Sequence, residues 1–515
     1  MLKSGAKNPD DLASVKRRLA KKYRIPCPSN LNLLKIYHKL VKKGSVKKSS
    51  RIENLLRVRP VRSLSGIVNI SVLTKPYPCP GKCLYCPTEK GIPKSYVSGE
   101  PAVERAKKLK YDPYLQVKKR IEALKAEGHL TDKIELRIVG GTWSYYPKKY
   151  QAWFIKKCYD ACNKKANKPQ RFNEKAEHRI VGLSVETRPD FINSNEIKRL
   201  RQFGVTMVEL GVQSIYRDVL ELNRRGHGVK EIIEATKLLK DAGFKVLYQM
   251  MPNLPGSSVS RDLKMFKELF ANPHFQPDLL KIYPCVLLKE APLYQWWKQK
   301  KYQPYTDKQL INLMKAIKKN VPYYVRIQRI ARDIPGYRIP NLRQLLAEKS
   351  KKEAWKCRCI RCREVKTDYR LGERLLLFRQ DYRASGGREI FLSFENKSRK
   401  LHSLLRLRIT SQEKAFIREV HTYGRLHPLN GNLNVISPQH KGLGKKLISK
   451  AEKIAKKDFG LNEVAVIAAV GTRNYFRKLG YGLKKTYMVK NLKSRKPIKE
   501  NKATAGRAGI GRRGC

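Results

Sequence analysis

The sequence predicts an α/β protein: a partial (β/α) barrel followed by a smaller α/β domain, with a small basic helical region in front. Three observations carry this reading. From about residue 61 to 330, strand-like apolar runs alternate with amphipathic helical patterns, the order that builds a parallel sheet through crossover helices. Past a polar, basic junction at 343–374 the runs take on antiparallel character and close with a helix and a buried strand. Ahead of both, residues 12–43 place apolar side chains at three- and four-residue spacing between basic ones.

In chain order, "LASVKRRLAKKY" and "NLNLLKIYHKLVKK" read as two helices parted by the breaker "RIPCPSN". "SGIVNISVL", "KIELRIVGG", "HRIVGLSVET", "VTMVELGVQS", "FKVLYQMMPNLPG" and "LLKIYPCVLL" are the barrel strands, and "YDPYLQVKKRIEALKAEG" and "VKEIIEATKLLKDAG" are two of its helices. An active site is expected at the C-terminal ends of such strands. "REIFLSFEN", "LLRLRIT" and "AFIREVHTYGRLHPL" are the strands of the second domain, "GKKLISKAEKIAKK" its helix and "EVAVIAAV" its buried strand. The expected divisions are 1–60 (basic helices), 61–342 (barrel), 343–375 (Cys-rich linker), 376–490 (second domain) and 491–515 (basic, disordered tail).

The chain carries 112 Lys+Arg against 43 Asp+Glu, a formal charge of +69, and its 41% hydrophobic content still suffices for ordinary cores. A charge this large repels itself unless a polyanion shares it, so nucleic acid is the expected partner and phosphate contacts the main source of affinity. The charge is uneven: residues 1–60 hold 17 Lys+Arg and 3 Asp+Glu. The charged N-terminus lacks an apolar signal core, and no stretch reaches the roughly 18 apolar residues of a membrane span. The expectation is a cytoplasmic protein.

Six of the eleven cysteines fall in two trios, Cys79/Cys83/Cys86 and Cys357/Cys359/Cys362, which reads as metal or cluster ligation in a reducing compartment and not as a disulfide framework. Thiolates at C-x3-C-x2-C bring three ligands to one iron-sulfur cluster and leave its fourth iron open to a substrate. Structural zinc is the competing reading, but it wants four ligands and no His or Cys beside the loop supplies the fourth. With Tyr85 before the third cysteine, a strand before the loop and βα units after it, "PYPCPGKCLYCPTEKG" resembles the radical S-adenosylmethionine (SAM) superfamily. In that superfamily the open iron of a 4Fe-4S cluster binds SAM, and the end of the next strand, here Gly140 and Gly141, faces the SAM amino group. Glu186 and Gln213 end later strands and are candidates to line the same cavity.

"QHKGLG", at a strand-to-helix turn, has the form of an anion nest for a pyrophosphate. Followed by a basic amphipathic helix, a buried strand and "NYFRKLGY", it resembles the GNAT acetyltransferases, whose motif holds acetyl-CoA. The tyrosine that often protonates the departing CoA thiolate in those enzymes is replaced here by Phe476, with Tyr475 one position earlier; either Tyr475 takes the role or ordinary acyl transfer is not performed.

Together "CPGKCLYCPTEKG", "YDPY", "VGGT", "VETRPD", "GVQS", "RRGHG", "DAGFKV", "MMPNLPG", "LKIYP", "REVHTYG", "QHKGLG" and "GTRNYFRKLGYG" resemble the catalytic subunits of Elongator, the tRNA uridine acetyltransferase family, over about residues 15–490. The resemblance implies formation of 5-carboxymethyluridine at the wobble position of tRNA from acetyl-CoA. A SAM-derived radical would take a hydrogen from the acetyl methyl, the carbon radical would add to uracil, and thioester hydrolysis would free CoA. It implies Cys79, Cys83 and Cys86 as cluster ligands, Lys133 as an acetyl-CoA contact with a catalytic part, and Cys357, Cys359 and Cys362 as a zinc site whose fourth ligand the sequence does not name. It implies Glu419, Val420, His421, Thr422, Gln439, His440, Lys441, Gly442, Leu443 and Gly444 as CoA-binding segments, and Tyr475 as a binding and catalytic residue. The basic helices and the linker would grip tRNA. A protein lysine acetyltransferase with an accessory iron-sulfur domain is the alternative, and it leaves the cysteine loop unexplained.

Overall fold

The computed structural model describes residues 4–163, 167–334, 339, 341–370, 372–426, 437–439 and 441–493. Seven strands, β1 (Val68–Leu73), β2 (Lys133–Val139), β3 (Arg179–Thr187), β4 (Met207–Gln213), β5 (Lys245–Met250), β6 (Leu279–Ile282) and β7 (Arg326–Ile330), form one sheet in sequence order. Every neighbouring pair is parallel. Among the described residues no pairing joins β7 back to β1, so the sheet is an open, partial barrel. Helices cover its outside: Val229–Asp241 turns Ile232, Ala235 and Leu239 onto the sheet at helical spacing, each large aliphatic worth about 1.5–3 kcal/mol when fully buried. The sequence reading counted six strands. The seventh, β7, has the sequence RIQRI and sends Gln328 and Arg329 toward a cavity, so its polar content hides it from a search for apolar runs.

The second sheet has the order β13-β14-β12-β11-β10-β9-β8. Its strands are β8 (Leu376–Ala384), β9 (Gly387–Glu395), β10 (Leu401–Ile409), β11 (Ala415–Thr422), β12 (Glu463–Val466), β13 (Gly482–Lys484) and β14 (Tyr487–Asn491). All pairs are antiparallel except β11–β12, which match only at Ala415–Ile417 against Val464–Val466. Beyond Ile417 the two strands part and leave a cleft. The helix Leu443–Lys457 packs Leu447, Ile448, Ala451, Ile454 and Ala455 against this sheet.

A β-bulge sets how the sheets meet. Arg406 pairs with Glu419 and Leu407 with Ile417, so Arg418 is the extra residue on β11. Its guanidinium reaches the starts of the barrel strands, bonding both oxygens of Asp278 at 2.6 and 2.8 Å and the carbonyl of Phe244 at 2.6 Å. Asp278 has no exposed surface and also accepts from the Val246 amide at 2.8 Å. Burial opposes its charge, but Arg418, Arg406 and Lys240 hold its carboxyl well below the ordinary range. One hydrophobic core runs through both layers, joining barrel residues to Leu401, Leu404, Ile467 and Val470.

In front, the helices Pro9–Tyr23, Asn30–Lys42 and Ser50–Leu56 close around Leu12, Leu34, Tyr37 and Leu56. Asn8 starts the first with a capping box and Pro9 fits its first turn. Among the described residues no helix is long and apolar enough to cross a membrane.

Candidate functional site

The structure gathers the predicted residues at the two ends of the barrel. At the strand ends, the loop after β1 brings Cys83, Leu84, Tyr85 and Cys86 into an apolar seat made by Val219, Leu254, Leu293 and Tyr302. Backbone bonds pin it: Leu84 donates to Asn223 O at 3.2 Å, Leu293 to Leu84 O at 2.9 Å and Thr88 to Glu290 O at 3.0 Å. Cys79 Sγ lies 3.8 Å from Thr142 Oγ1, which follows Gly140 and Gly141 at the end of β2. Burial, then Cys83, push the Cys86 thiol up to about 12, so a bound cation must displace its proton.

Two arginines that sequence reasoning left without a role close this cradle. Arg225 Nη1 donates to Cys83 Sγ at 3.2 Å. A Cβ on Gly81 would sit 2.5 Å from Arg188 Nη1, 3.4 Å from Cys83 Sγ and 3.7 Å from Cys79 Sγ, so glycine is what lets the three groups converge. Their motifs, "ETRPD" and "RRGHG", were visible, but a buried arginine reads in sequence like a surface one.

Gly140 (φ 126°) fits against Thr74: a Cβ there would stand 2.1 Å from Thr74 Oγ1, which donates to Gly140 O at 2.9 Å. Gly141 (φ 90°) faces more open space, with Lys94 O at 3.7 Å from where its Cβ would be. Gln213 ends β4 at φ 72°, buried, its side-chain oxygen without a hydrogen-bond partner among the described residues. Glu186 sits inside the barrel and accepts from Lys281 at 2.9 Å, Gln249 at 3.0 Å and Tyr96 at 3.2 Å. Burial opposes its charge, but Lys281 holds its carboxyl below the ordinary range. Lys281 also pairs with Glu209, so a ladder of charges lines the lumen.

The other predicted set meets at the strand starts. Lys133, the first residue of β2, lies six residues or about 20 Å along the strand from Val139. Its ammonium donates to Gln439 Oε1 at 3.0 Å, and burial pushes its pKa down to about 8. Gln439 Nε2 donates to Thr422 O at 3.0 Å and Gly66 O at 3.2 Å. A Cβ on Gly66 (φ 81°) would fall 1.7 Å from that nitrogen, so the contact requires glycine. His421 meets Ser65 O at 2.8 Å. Glu419 binds Arg406 at 2.8 Å and Lys245 of β5 at 3.4 Å; burial opposes its charge, but Lys245 and Arg406 bring its pKa down to about 2.

Gly442 (φ 78°) caps the helix Leu443–Lys457, Lys441 beside it is exposed, and the space over Gly442 is open. A Cβ on Gly444 would meet the Tyr475 hydroxyl at 3.1 Å and Val420 Cγ1 at 3.6 Å. Tyr475 is 43% exposed with its hydroxyl over this loop, whereas Phe476 packs in the second core with Leu447 and Tyr481. The packing thus separates two adjacent aromatics that the sequence left open. His440 lies outside the described residues. A cavity of about 2010 Å³ runs from Gly442, Gly444 and Tyr475 past Lys133 to Glu135 and Arg137 inside the barrel and along β7 to Arg332.

The second trio differs. The sulfurs of Cys357, Cys359 and Cys362 all lie within 4.8 Å of one another, and among the described residues no other His/Cys/Asp/Glu group, the first trio included, closes to that spacing. Tetrahedral zinc with bonds of about 2.3 Å sets its sulfurs roughly 3.8 Å apart, so the tight trio suits one ion. Sulfurs held further apart suit three separate irons of a cluster. The tight trio sits where the layers join: Ile360 donates to Val325 O at 2.9 Å, Val365 to Leu401 O at 2.8 Å, and Arg363 pairs with Glu395 at 2.6 Å.

A model of the Radical SAM superfamily matches residues 77–269 and one of the Radical SAM C-terminal domain residues 277–361. A tRNA uridine(34) acetyltransferase of Methanocaldococcus infernus is 42% identical over 93% of this chain and 95% of its own length. Elongator complex protein 3 of Homo sapiens is 37% identical over 94% of this chain and 93% of its own. The solved structure of the archaeal Methanocaldococcus infernus Elp3 with an N-terminal deletion superposes with a TM-score of 0.73 at 40% identity, covering 84% of this chain and all of that one. With relatives at this identity covering nearly the whole chain, the chain belongs to the radical SAM family of tRNA uridine(34) acetyltransferases and Elongator complex protein 3.

Proposed function

We propose that the protein modifies the wobble uridine of tRNA, joining an acetyl-derived carboxymethyl group to carbon 5 of the base in a reaction that consumes acetyl-CoA. The single observation that carries this is the continuity of the cavity from Tyr475 and Lys133 to Glu135 and Arg137 in the barrel lumen, which gives a thioester bound at the strand starts room to point into the barrel. The names of the relatives support the substrate, and nineteen lysines and arginines against three carboxylates along the described lining support a polyanion there.

Cys79, Cys83 and Cys86 would hold the 4Fe-4S cluster, which with SAM supplies the hydrogen-abstracting radical that a methyl group otherwise lacks. Gly141 and the free acceptor of Gln213 border the space for SAM. Gly442, Leu443 and Gly444 present backbone N–H groups to the pyrophosphate of acetyl-CoA, and Val420 and Thr422 of β11 flank its arm where β12 diverges. Lys133 contacts the cofactor as a cation. Tyr475 donates its hydroxyl proton to the departing CoA thiolate, and burial, which raises its pKa, keeps that proton in place. Cys357, Cys359 and Cys362 would hold a zinc ion, which would fasten the 343–375 linker between the two layers, and the basic helices of residues 1–60 and the linker's arginines bind tRNA phosphates.

The test is CoA release from acetyl-CoA by anaerobically reconstituted protein with tRNA, without it, and with a lysine-rich peptide. Stimulation by tRNA and carboxymethyl on the wobble uridine are expected. Stimulation by the peptide with indifference to tRNA would identify an amine acetyltransferase instead.

A further inference from the structure

Arg225 is 6% exposed and has an unusual set of partners. Its Nη1 donates to Cys83 Sγ at 3.2 Å, its Nη2 to Gly211 O and to His227 Nε2, the latter at 2.9 Å, and its Nε has no partner among the described residues. No carboxylate pairs with it among the described residues; the side chain of anionic capacity that it touches is Cys83. A buried guanidinium without a counter-charge is expensive, by several kcal/mol, so the thiolates of the loop are the anions it was placed to meet. His227 accepts from Nη2 and so aims the fork. Arg188 arrives beside it: Asp190 holds its Nε and Nη2 at 2.9 Å each, while its Nη1 is buried, has no hydrogen-bond partner among the described residues and lies against Gly81, where a Cβ would also meet the sulfurs of Cys83 and Cys79.

We propose that Arg225, assisted by the free Nη1 of Arg188, is the cationic wall of the cluster cradle: it offsets the charge of the thiolate-bound cluster, donates to the Cys83 sulfur and thereby raises the reduction potential. Reduction adds a negative charge beside the buried Cys83 and Cys86, and a fixed cation in contact with a ligand sulfur favours that state. The two arginines are positioning residues: they touch the ligands, and no reacting atom is assigned to them.

This rests on the reading of Cys79, Cys83 and Cys86 as cluster ligands, which iron and sulfide analysis of the anaerobically reconstituted wild-type chain checks by itself. Wild-type protein that takes up no cluster would sink that reading before any arginine is changed. Given a loaded wild type, the midpoint potential is read by EPR during a dithionite titration for wild type, Arg225→Gln, Arg225→Lys and Arg188→Gln. Arg225→Gln is expected to make reduction at least tenfold less favourable, a shift of 59 mV to lower potential for one electron. Arg225→Lys should recover most of that, and Arg188→Gln should move less in the same direction. A fully loaded Arg225→Gln protein with the wild-type potential overturns the proposal, as does Arg225→Lys shifting as far as Arg225→Gln. If Arg225→Gln folds but fails to load, loading of Arg225→Lys upholds the charge role, and failure of both overturns it in favour of shape.

Discussion

The two ends of the barrel solve opposite problems. At the strand ends, three thiols within eight residues share an apolar seat with two arginines, and the loop's backbone is tied down bond by bond. At the strand starts, Gly66, Lys133, Thr422, Gln439 and Tyr475 come together from positions more than 400 residues apart in sequence, and the floor beneath them is a set of buried ion pairs. The first end is built around a short local motif; the second is a joint between two sheets, tied by the bulged Arg418 to Asp278. The first therefore depends on the side chains of the barrel that seat it, while the second depends on the interface between the sheets.

The largest effects should come from disabling one end and watching the other. Cys83→Ala is expected to drop uridine modification and SAM cleavage to background while acetyl-CoA binding, read by calorimetry, stays at wild-type affinity. Gly442→Asp places a carboxylate and a strained φ where an anion should sit, and should weaken acetyl-CoA at least tenfold, about 1.4 kcal/mol or more. SAM cleavage without tRNA should survive it. If either substitution disables both readouts, the ends are not separable.

The joint itself is tested by Asp278→Ala. Removing this carboxylate leaves Arg418 buried with Glu389 as its remaining acidic partner and should cost about 3–5 kcal/mol in urea-induced unfolding. The same substitution should lower acetyl-CoA affinity while leaving cluster content unchanged. A loss of stability below about 1 kcal/mol would mean that the hydrophobic contact through Leu404 and Ile467, and not the ion pairs, sets the angle.

How much of this was legible follows from the same contrast. The cysteine loop could be read because its three cysteines are neighbours in sequence and their spacing has few other uses. The parallel strands could be read where both faces are covered, as in β4, whose seven residues are all buried. β7 and β13 could not: one mixes arginine and glutamine into an edge position, and the other is three residues with every side chain exposed. At the glycine loop the helix and its anion nest were legible, but the dependence of Gln439 on Gly66 was not, because no local pattern ties residue 66 to residue 439. Arg188 and Arg225 were hidden for a different reason: burial, which brings an ordinary arginine against the cysteine loop, is a property of the fold.

Within the joint, the pair at 475 and 476 gives a smaller, sharper test. Tyr475→Phe removes only the hydroxyl over Gly444 and should slow CoA release about 10²-fold with little change in acetyl-CoA affinity. Adding Phe476→Tyr to that variant buries a hydroxyl in the core that holds Leu447 and Ile448 and should cost about 1–3 kcal/mol of stability without restoring the rate. A double variant with wild-type rate and unaltered stability would reverse the roles of the two rings.

The smallest effect is a pH dependence with two signs. Burial lowers the Lys133 pKa from 10.5 to about 8, with Asp132 opposing the fall, so the native state releases this proton more readily than the unfolded chain. Between about pH 8 and 10.5 the unfolded state holds more protons, and this residue's contribution to stability rises with pH across that window and is lost as pH falls through it. Binding of an anion runs the other way, because acetyl-CoA favours the ammonium. Its affinity should be flat below pH 8 and should fall as pH rises, by up to about tenfold between pH 7 and 9. Lys133→Met should abolish both slopes, gaining stability on the acidic side of the window and losing the pH dependence of acetyl-CoA binding. If the affinity slope persists in that variant, the cation that meets the cofactor is another residue of the cavity, and the strand start of β2 serves only to hold Gln439.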